Sequence, residues 1–301
     1  MSDATTPDAP RPLRHAATMI VLREHAGEVE VLMTRRHADL AFMGGMWVFP
    51  GGALAPADES NAARKLVSPA QRCFPLQDLE GSALPQSIAL ALAIAACRET
   101  FEETGVLPAR RADGSAIEPE QLARLQAQRA ALAANPALFV AALVREDLRL
   151  DLDSMIYWAH WVTPSGVPRR FDTRFFVTRA PARHEHAADA HETTECVWMT
   201  PRELLAKANS DAMRIAQPTR YNLEDLRVSL ARHRTLDALL RAEAHRMVAP
   251  IMPKLWKEDG RTVIVMPWNE AYSKLPGEGV RPGQHYEPAL LALPSKIERD
   301  H

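Results

Sequence analysis

An uninterrupted apolar stretch leads directly into three closely spaced glutamates, and this junction limits what the chain can fold into. Residues 88–97 are all apolar. Arg98 comes next, and Glu99, Glu102 and Glu103 follow it within the next five residues. The run is far shorter than the roughly 20 residues that span a bilayer, so it predicts a buried helix. Ser87 is the expected N-cap of this helix, and Gly105 is the expected stop.

Glutamates at positions i, i+3 and i+4 share one face of a helix, where their charges repel. Arg98 is the neighbouring cation, and the preceding turns carry no charge. A divalent cation would relieve the repulsion, and carboxylate oxygens suit Mg²⁺ or Mn²⁺. A solvated acidic helix end is the alternative interpretation. The pattern therefore predicts either a metal site or an exposed helix terminus.

The rest of the chain alternates between strand and helix patterns. A turn at His25-Ala26-Gly27 joins two apolar, β-branched runs and predicts a hairpin. Prolines interrupt residues 53–86, which we interpret as an irregular excursion from the core. The predicted strands are 16–23, 29–35, 46–49, 155–163, 173–179, 195–199 and 262–266, and the predicted helices are 118–135, 136–146, 223–246 and a short one opened by Pro201.

Composition excludes several classes of protein. The chain is 47% hydrophobic and 25% charged, as in ordinary globular proteins, and its formal net charge of −2 offers no broad basic field. We therefore expect neither nucleic acid nor a membrane as partner. The three cysteines form no Cys-x-x-Cys pair, which favours a reducing compartment over a disulfide framework.

The segment Arg98-Glu99-x-x-Glu102-Glu103-x-Gly105-Val106 resembles the second half of the Nudix box. The turn Phe49-Pro50-Gly51-Gly52 resembles the strand-to-loop entry that precedes this helix in the Nudix hydrolase superfamily. The chain departs from the family spacing, because Gly52 and Arg98 are 46 positions apart instead of 14. Leu90 also stands where the family has a glutamate, and Thr100 stands where it has an apolar residue.

The long insertion itself resembles the interrupted-box branch that includes mammalian peroxisomal coenzyme A diphosphatase. Segments 169–176 and 192–201 resemble further stretches of that branch. The resemblance implies an α/β (α+β) fold of the Nudix type, an α/β/α sandwich around a mixed sheet. We expect a flexible tail over residues 1–14, a Nudix domain over 15–208 with its insertion at about 53–86, and a mainly helical extension over 209–301.

The resemblance also implies roles for individual residues. Glu99, Glu102 and Glu103 would bind Mg²⁺ or Mn²⁺, with the Gly51 and Gly52 backbone near the ion and Arg98 orienting the carboxylates. Glu192 or Glu195 would be a further metal ligand or the general base. The residues that would bind substrate phosphates are Arg35, Arg36 and Arg174. For the arginines, solvated strand ends are the alternative interpretation.

The implied reaction is metal-dependent hydrolysis of a pyrophosphate bond in a small nucleoside diphosphate derivative, with coenzyme A or an acyl derivative as the leading substrate. Hydrolysis of ADP-ribose, dinucleotides or nucleoside triphosphates is the close alternative, and a non-catalytic nucleotide-sensing module is the distant one. A homodimer is compatible with the sequence. Residues 298–301 are not a Ser-Lys-Leu peroxisomal address, so we expect a cytoplasmic protein.

Overall fold

A mixed sheet of eight strands forms the centre of the computed structural model, which describes residues 13–40, 43–68, 74–181, 193–259 and 261–298. The strands are β1 (Arg14–His25), β2 (Glu28–Arg36), β3 (Trp47–Val48), β4 (Gly51–Ala53), β5 (Ala109–Arg111), β6 (Leu148–Leu150), β7 (Ile156–Val162), β8 (Phe171–Arg179), β9 (Thr193–Met199), β10 (Pro250–Ile251), β11 (Lys254–Glu258), β12 (Arg261–Val265) and β13 (Lys296–Glu298).

The α-helices are α1 (Asn61–Arg64), α2 (Gln86–Thr104), α3 (Pro119–Ala127), α4 (Arg129–Ala134), α5 (Pro136–Arg145), α6 (Pro201–Asn209), α7 (Gln217–His233), α8 (Leu236–Ala242) and α9 (Pro288–Leu291). Short 3₁₀ helices occupy Pro56–Glu59, Leu152–Ser154 and Tyr272–Lys274. The predicted mixed α/β fold is confirmed.

The main sheet runs in the order β10-β7-β8-β1-β2-β3, with β4 also pairing β1 and β9 also pairing β2. Strand β1 pairs β8 in parallel and β2 antiparallel. The predicted hairpin between β1 and β2 is present, and Ala26 and Gly27 both have positive φ at its turn. This two-residue turn matches the twist of the flanking strands.

Strand alternation divides the interior into two cores, one on each face of the sheet. The core on the face covered by α2, which we call the helix-side core, contains Met19 of β1 together with the apolar residues of α2 and Phe139 of α5. The opposite core contains Ile20 of β1 together with apolar residues of α6, α7 and α8. The sheet therefore lies between two helical layers, as the α/β/α expectation required.

The described part of the insertion packs into the core more than the sequence suggested. We expected residues 53–86 to leave the core, but Ala63, Leu66, Phe74 and Leu76 are buried in the helix-side core. The ring of Phe74 also packs edge to face against that of Phe176, with 5.1 Å between the ring centroids. The prolines interrupt the helix and strand patterns of this segment, but these four apolar residues still pack against residues distant in the sequence.

Three predicted helices have different extents in the structure. Helix α2 begins at Gln86, because the carbonyl of Pro85 rather than the side chain of Ser87 accepts the first helical N–H groups. The helix predicted over 118–135 breaks at Gln128. The one predicted over 223–246 breaks at Arg234, which has a positive φ of 61°.

The C-terminal part contains strands as well as helices. Helices α7 and α8 cover the sheet, but beyond Ala242 the chain forms β10–β13 and turns, with only α9 as further α-helix among the described residues. Prolines recur through this stretch and interrupt helical hydrogen bonding. Strand β10 joins the main sheet beside β7, so this part extends the central domain. The predicted tail over residues 1–14 lies almost entirely outside the described residues.

Candidate active site

The last turns of α2 carry the three glutamates close to the helix-side core. Glu102 is 6% exposed and Glu103 is 2% exposed, while the side chain of Glu99 is 14% exposed. Gly105 ends the helix in the left-handed conformation at φ 76°, as predicted, and its N–H donates to the carbonyl of Phe101. The helix thus holds three carboxyl groups in a poorly solvated place, where ionisation is costly.

Arg98 lies among these carboxylates and is itself buried. Its Nη1 donates to Glu99 Oε1 at 2.9 Å and to Glu102 Oε2 at 2.8 Å. One nitrogen therefore holds two of the three glutamates. Because a guanidinium is planar and always charged, it fixes the direction of both carboxylates.

Asp58 is a member of the site that the sequence analysis missed. It lies in the insertion and is 1% exposed. Arg98 donates from Nε to Asp58 Oδ1 at 2.9 Å and from Nη2 to Asp58 Oδ2 at 3.0 Å. The separation of 40 positions in the sequence conceals this contact from any local pattern. We call Asp58, Arg98, Glu99, Glu102 and Glu103 the carboxylate cluster.

Burial governs the electrostatics of the carboxylate cluster. It raises the pKa of Glu102 to about 8, with Arg98 opposing the rise and Glu99 adding to it. Burial lowers the pKa of Arg98, but the hydrogen bond to Asp58 and the nearby carboxylate charges outweigh that effect and raise the pKa above its ordinary value. The cluster therefore contains four carboxyl groups and one permanent cation.

Gly51 and Gly52 allow β4 to approach its neighbours closely. A Cβ at Gly52 would lie 2.5 Å from the carboxyl carbon of Glu99, and one at Gly51 would lie 2.5 Å from the carbonyl oxygen of Ala17. What they supply is space: Gly52 brings a strand backbone against the carboxylate cluster.

The donor set fits a divalent cation. Glu102 Oε1 is buried and has no hydrogen-bond partner within the described ranges. In those same ranges no three His, Cys, Asp or Glu side chains already converge as a metal site. Mg²⁺ needs only one or two direct carboxylates, because it keeps water and substrate oxygens as its other ligands. Glu99, Glu102 and Glu103 are the residues that would hold it.

Arg35 and Glu195, two of the further candidates, pair with each other. They are register partners on β2 and β9, and Arg35 Nη1 lies 2.7 Å from Glu195 Oε1. Next along β9, Cys196 packs against the helix-side core, whereas Val197 packs against the opposite core. By alternation, Glu195 shares the face of Val197, away from α2. The structure therefore does not bring Glu195 beside the carboxylate cluster.

Arg36 is better placed than Arg35. Its register partner is Thr193, whose hydroxyl donates to the carbonyl of Glu103 at 3.3 Å. This contact brings the end of β2 next to the end of α2. Glu192, the other candidate base, lies outside the described residues.

Arg174 does not fit the expected role in binding substrate phosphate. It is fully buried within β8, pairs with Asp172, and donates from Nη2 to the carbonyl of Gln77 at 2.6 Å. Asp172 also contacts His160 at 2.6 Å and His15 at 3.3 Å. We call these four, His15, His160, Asp172 and Arg174, the strand cluster. The pattern suggested a strand end, but β8 begins earlier, at Phe171, and encloses the arginine.

Known proteins are similar to this chain in sequence. Residues 9–226 match the profile of the NUDT19 Nudix domain. The acyl-coenzyme A diphosphatase NUDT19 of Gallus gallus is 31% identical over 230 residues, covering 65% of this chain and 60% of that protein. Its counterpart in Homo sapiens is 28% identical over 226 residues, with coverage of 65% and 60%. This chain therefore matches about 60% of the length of these relatives.

A solved structure extends the likeness to the fold. The crystal structure of a NUDIX hydrolase from Alicyclobacillus acidocaldarius is 29% identical, with a TM-score of 0.59. The alignment covers 76% of this chain and 96% of that one. Separately, none of the helices in the described part of the chain is long and apolar enough to cross a membrane.

Proposed function

Because the chain belongs to the Nudix family through a NUDT19-type Nudix domain, we propose that it is a hydrolase that cleaves a pyrophosphate bond in a small nucleoside diphosphate derivative, using Mg²⁺ or Mn²⁺. The observation that carries the proposal is the carboxylate cluster, where four buried or half-buried carboxyl groups accompany one arginine. A cation is the simplest way to balance that charge.

In this mechanism Glu99, Glu102 and Glu103 would hold the cation. A bound ion would supply neutralisation of the diphosphate charge and a lower pKa for a water molecule. Arg98 keeps Glu99 and Glu102 directed by donating to both. Gly52 leaves room for Glu99 beside β4, and a bulkier residue there would push that carboxylate away.

Substrate positioning would fall to residues around the end of β2. Arg36 is our candidate for binding a phosphate, because its register partner Thr193 contacts the end of α2. Glu192, which precedes Thr193, is our candidate for the general base. Arg35 and Glu195 neutralise each other and take no part in the proposal.

We propose coenzyme A or an acyl derivative as the substrate. Support comes from the relatives named acyl-coenzyme A diphosphatase. Water would add to one phosphorus and break the bridging P–O bond, giving phosphopantetheine or its acyl form and adenosine 3′,5′-bisphosphate. We propose the cytoplasm as the setting, in keeping with the free thiols of Cys97 and Cys196.

A metal-supplemented substrate screen tests this proposal. Coenzyme A, a long-chain acyl-coenzyme A, ADP-ribose, NADH and ATP are each incubated with the protein, and the products are identified by mass spectrometry. We expect the highest kcat/KM for a coenzyme A species. The Glu102→Gln variant, purified in the same way, controls for contaminating hydrolases.

Other outcomes of the screen would change the proposal. A higher kcat/KM for ADP-ribose or NADH would replace the substrate but keep the reaction. Tight nucleotide binding without products would indicate a sensing module and overturn the proposed hydrolysis. Running the reaction in ¹⁸O-labelled water identifies the attacked phosphorus by the product that carries the label.

A further inference from the structure

The C-terminal part of the chain encloses a pocket of its own. The described residues that line it all fall between positions 254 and 291, whereas the match to the NUDT19 Nudix domain ends at residue 226. The cavity measures about 480 Å³, within the range of roughly 300–1,000 Å³ that is usual for small-molecule sites. We call it the C-terminal pocket. It shares none of its lining residues with the carboxylate cluster.

A buried ammonium group forms one wall of the C-terminal pocket. Lys254, the first residue of β11, is 9% exposed. Its Nζ donates to the carbonyl of Leu275 at 2.6 Å and lies 4.8 Å from the centroid of the Tyr272 ring. Within the described ranges, no carboxylate forms an ion pair with this lysine. Lysine is rarely buried without such a partner, so the position is unusual.

The other polar residues of the pocket do not balance this charge. Glu270 is the only acidic residue among the described residues that line it, and Glu270 is exposed. Arg281 adds a second cation and pairs with Glu80 of the insertion at 3.4 Å. An ammonium group has three donors, and Lys254 uses one of them on a carbonyl. Because a buried charge is costly without an opposite charge, the pocket is suited to an anion.

Aromatic side chains form another wall. Trp268, Tyr272 and Tyr286 line the pocket, and the rings of Trp268 and Tyr286 pack with 5.3 Å between their centroids. The Nε1 of Trp268 is buried and has no hydrogen-bond acceptor in the described part of the chain. A buried indole N–H usually has one. The pocket therefore combines aromatic surface, an unused donor and a buried cation, which suits a planar base that carries a phosphate.

Contacts within the chain hold these walls in one arrangement. Tyr272 donates its hydroxyl to the carbonyl of Met252 at 2.5 Å and accepts the N–H of Val280 at 3.1 Å. Gly279 packs so closely that a Cβ there would lie 2.7 Å from Tyr272 Oη and 2.9 Å from Lys254 Cε. A ligand would therefore meet a pocket that needs little reordering.

The C-terminal pocket lies apart from the carboxylate cluster. Trp268 and Tyr286 pack against the opposite core, whereas α2 belongs to the helix-side core. Tyr286 also donates its hydroxyl to the carbonyl of Pro250 in β10. One row of register partners runs from Pro250 through β7, β8 and β1 to Gly52 in β4. Four strand spacings of about 4.8 Å place these two backbones roughly 19 Å apart.

We propose that the C-terminal pocket binds a free nucleoside phosphate, with the phosphate against Lys254 and the base against Trp268. The phosphate supplies the opposite charge for the ammonium, and the base covers the aromatic surface. The distance from Gly52 makes this nucleotide a second ligand rather than one end of a substrate at the glutamates. The binding site does not depend on the proposed hydrolysis.

The test measures binding by isothermal titration calorimetry in EDTA, because the carboxylates of the cluster repel anions when no cation is bound. The probes are AMP, adenosine 3′,5′-bisphosphate and, as the comparison without phosphate, adenosine. We expect the wild type to bind both phosphates at least tenfold more tightly than adenosine. Lys254→Met should weaken AMP binding at least tenfold. Lys257→Met is the matched control, since Lys257 is an exposed lysine on the same strand, and it should bind AMP within twofold of the wild type.

A second measurement separates a free nucleotide from the nucleotide end of the substrate. With Mg²⁺ present, we expect the KM of Lys254→Met for coenzyme A to stay within twofold of the wild-type value. A tenfold rise in that KM would assign the pocket to the substrate and overturn the inference of a second ligand. If the wild type hydrolyses no substrate of the screen, the proposed function fails, and the binding of AMP in EDTA still decides the role of the pocket.

No AMP binding by the wild type, equal affinity for AMP and adenosine, or AMP affinity within twofold of the wild type in Lys254→Met would each overturn the inference. If Lys254→Met does not fold, Leu291→Glu decides the matter. Leu291 lines the same pocket and is 51% exposed, so a glutamate there adds a repelling charge without disturbing the core. Tenfold weaker AMP binding in Leu291→Glu supports the inference, and unchanged binding overturns it.

Discussion

The carboxylate cluster and the strand cluster are both buried groups of charge around one arginine, yet they differ in balance. In the strand cluster, Asp172 faces Arg174, and burial lowers the pKa of His160 to about 4, so that this histidine is neutral. In the carboxylate cluster, Arg98 pairs with Asp58, Glu99 and Glu102, and Glu103 is a fourth buried carboxyl group on the same helix. Removing one partner from a balanced buried group leaves the other charge uncompensated, whereas an unbalanced group is suited to bind an ion.

The two clusters also differ in what they connect. Arg174 donates to the carbonyl of Gln77, so the strand cluster ties the end of the insertion to the central sheet. Asp58 ties the beginning of the insertion to α2. We therefore expect substitutions in the strand cluster to lower stability, and substitutions in the carboxylate cluster to lower cation binding and turnover.

The largest expected effect is on turnover. Glu102→Gln or Glu103→Gln removes a cation ligand while keeping the side-chain shape, so kcat should fall by more than about 100-fold, beyond the range typical of outer-shell partners. The unfolding temperature should change little, because each substitution removes a buried carboxylate from a crowded anionic site. Steady-state kinetics and calorimetry measure the two quantities. Equal losses of folding and turnover would contradict the difference drawn between the clusters.

The opposite pattern is expected for Asp172→Asn. Removing one partner of a buried pair leaves the other charge uncompensated, which typically costs about 3–5 kcal/mol of stability. Denaturant unfolding should reveal that loss, while Mn²⁺ affinity of the folded protein stays within twofold of the wild type. A selective loss of Mn²⁺ binding with unchanged stability would instead make the strand cluster part of the ion site.

Two adjacent glycines sharpen the contrast. In Gly51→Ala the new Cβ meets the backbone of Ala17, so we expect a stability loss of about 1–3 kcal/mol from overpacking. In Gly52→Ala the new Cβ meets the Glu99 carboxyl group, a flexible end that can move aside. The second variant should remain stable but bind Mn²⁺ several-fold more weakly. Each variant serves as the control for the other. Identical stability and identical Mn²⁺ affinity in the two variants would refute the placement of Gly52, but not Gly51, against the cation site.

The last expected effect concerns pH. Because the pKa of Glu102 rises to about 8 on folding, the folded state binds its proton more tightly than the unfolded state does. The metal-free protein should therefore lose stability as pH rises from about 4.5 through 8, with a slope of at most about 1.4 kcal/mol per pH unit. Glu102→Gln or saturating Mg²⁺ should flatten this slope in thermal melts. A slope that neither treatment alters would assign the effect to another group.

Much of the fold was predictable because its signals are local. The turn at Ala26-Gly27, the apolar run of α2 and the Gly105 stop all appear within a few residues of sequence. The motif likewise placed Arg98 beside the glutamates, since the contact spans one helical turn. Local periodicity and short motifs therefore identified the strands, the central helix and the grouping of Arg98 with the glutamates.

The remaining features depend on contacts between distant residues. Asp58 reaches Arg98 across 40 positions, and Gln77 reaches Arg174 across 97. The pairing of Arg35 with Glu195 spans 160 positions and follows only from the register of β2 and β9. No local pattern carries such information, so the role of the insertion and the burial of Arg174 emerged only from the structure.

The most direct test of the central claim is to locate the cation. Crystals soaked in Mn²⁺ and measured for anomalous scattering should show a peak bounded by the side chains of Glu99, Glu102 and Glu103, and the same crystals of Glu102→Gln should show a weaker peak or none. A map of the wild-type protein with no anomalous peak at those glutamates, under saturating Mn²⁺, would contradict the account.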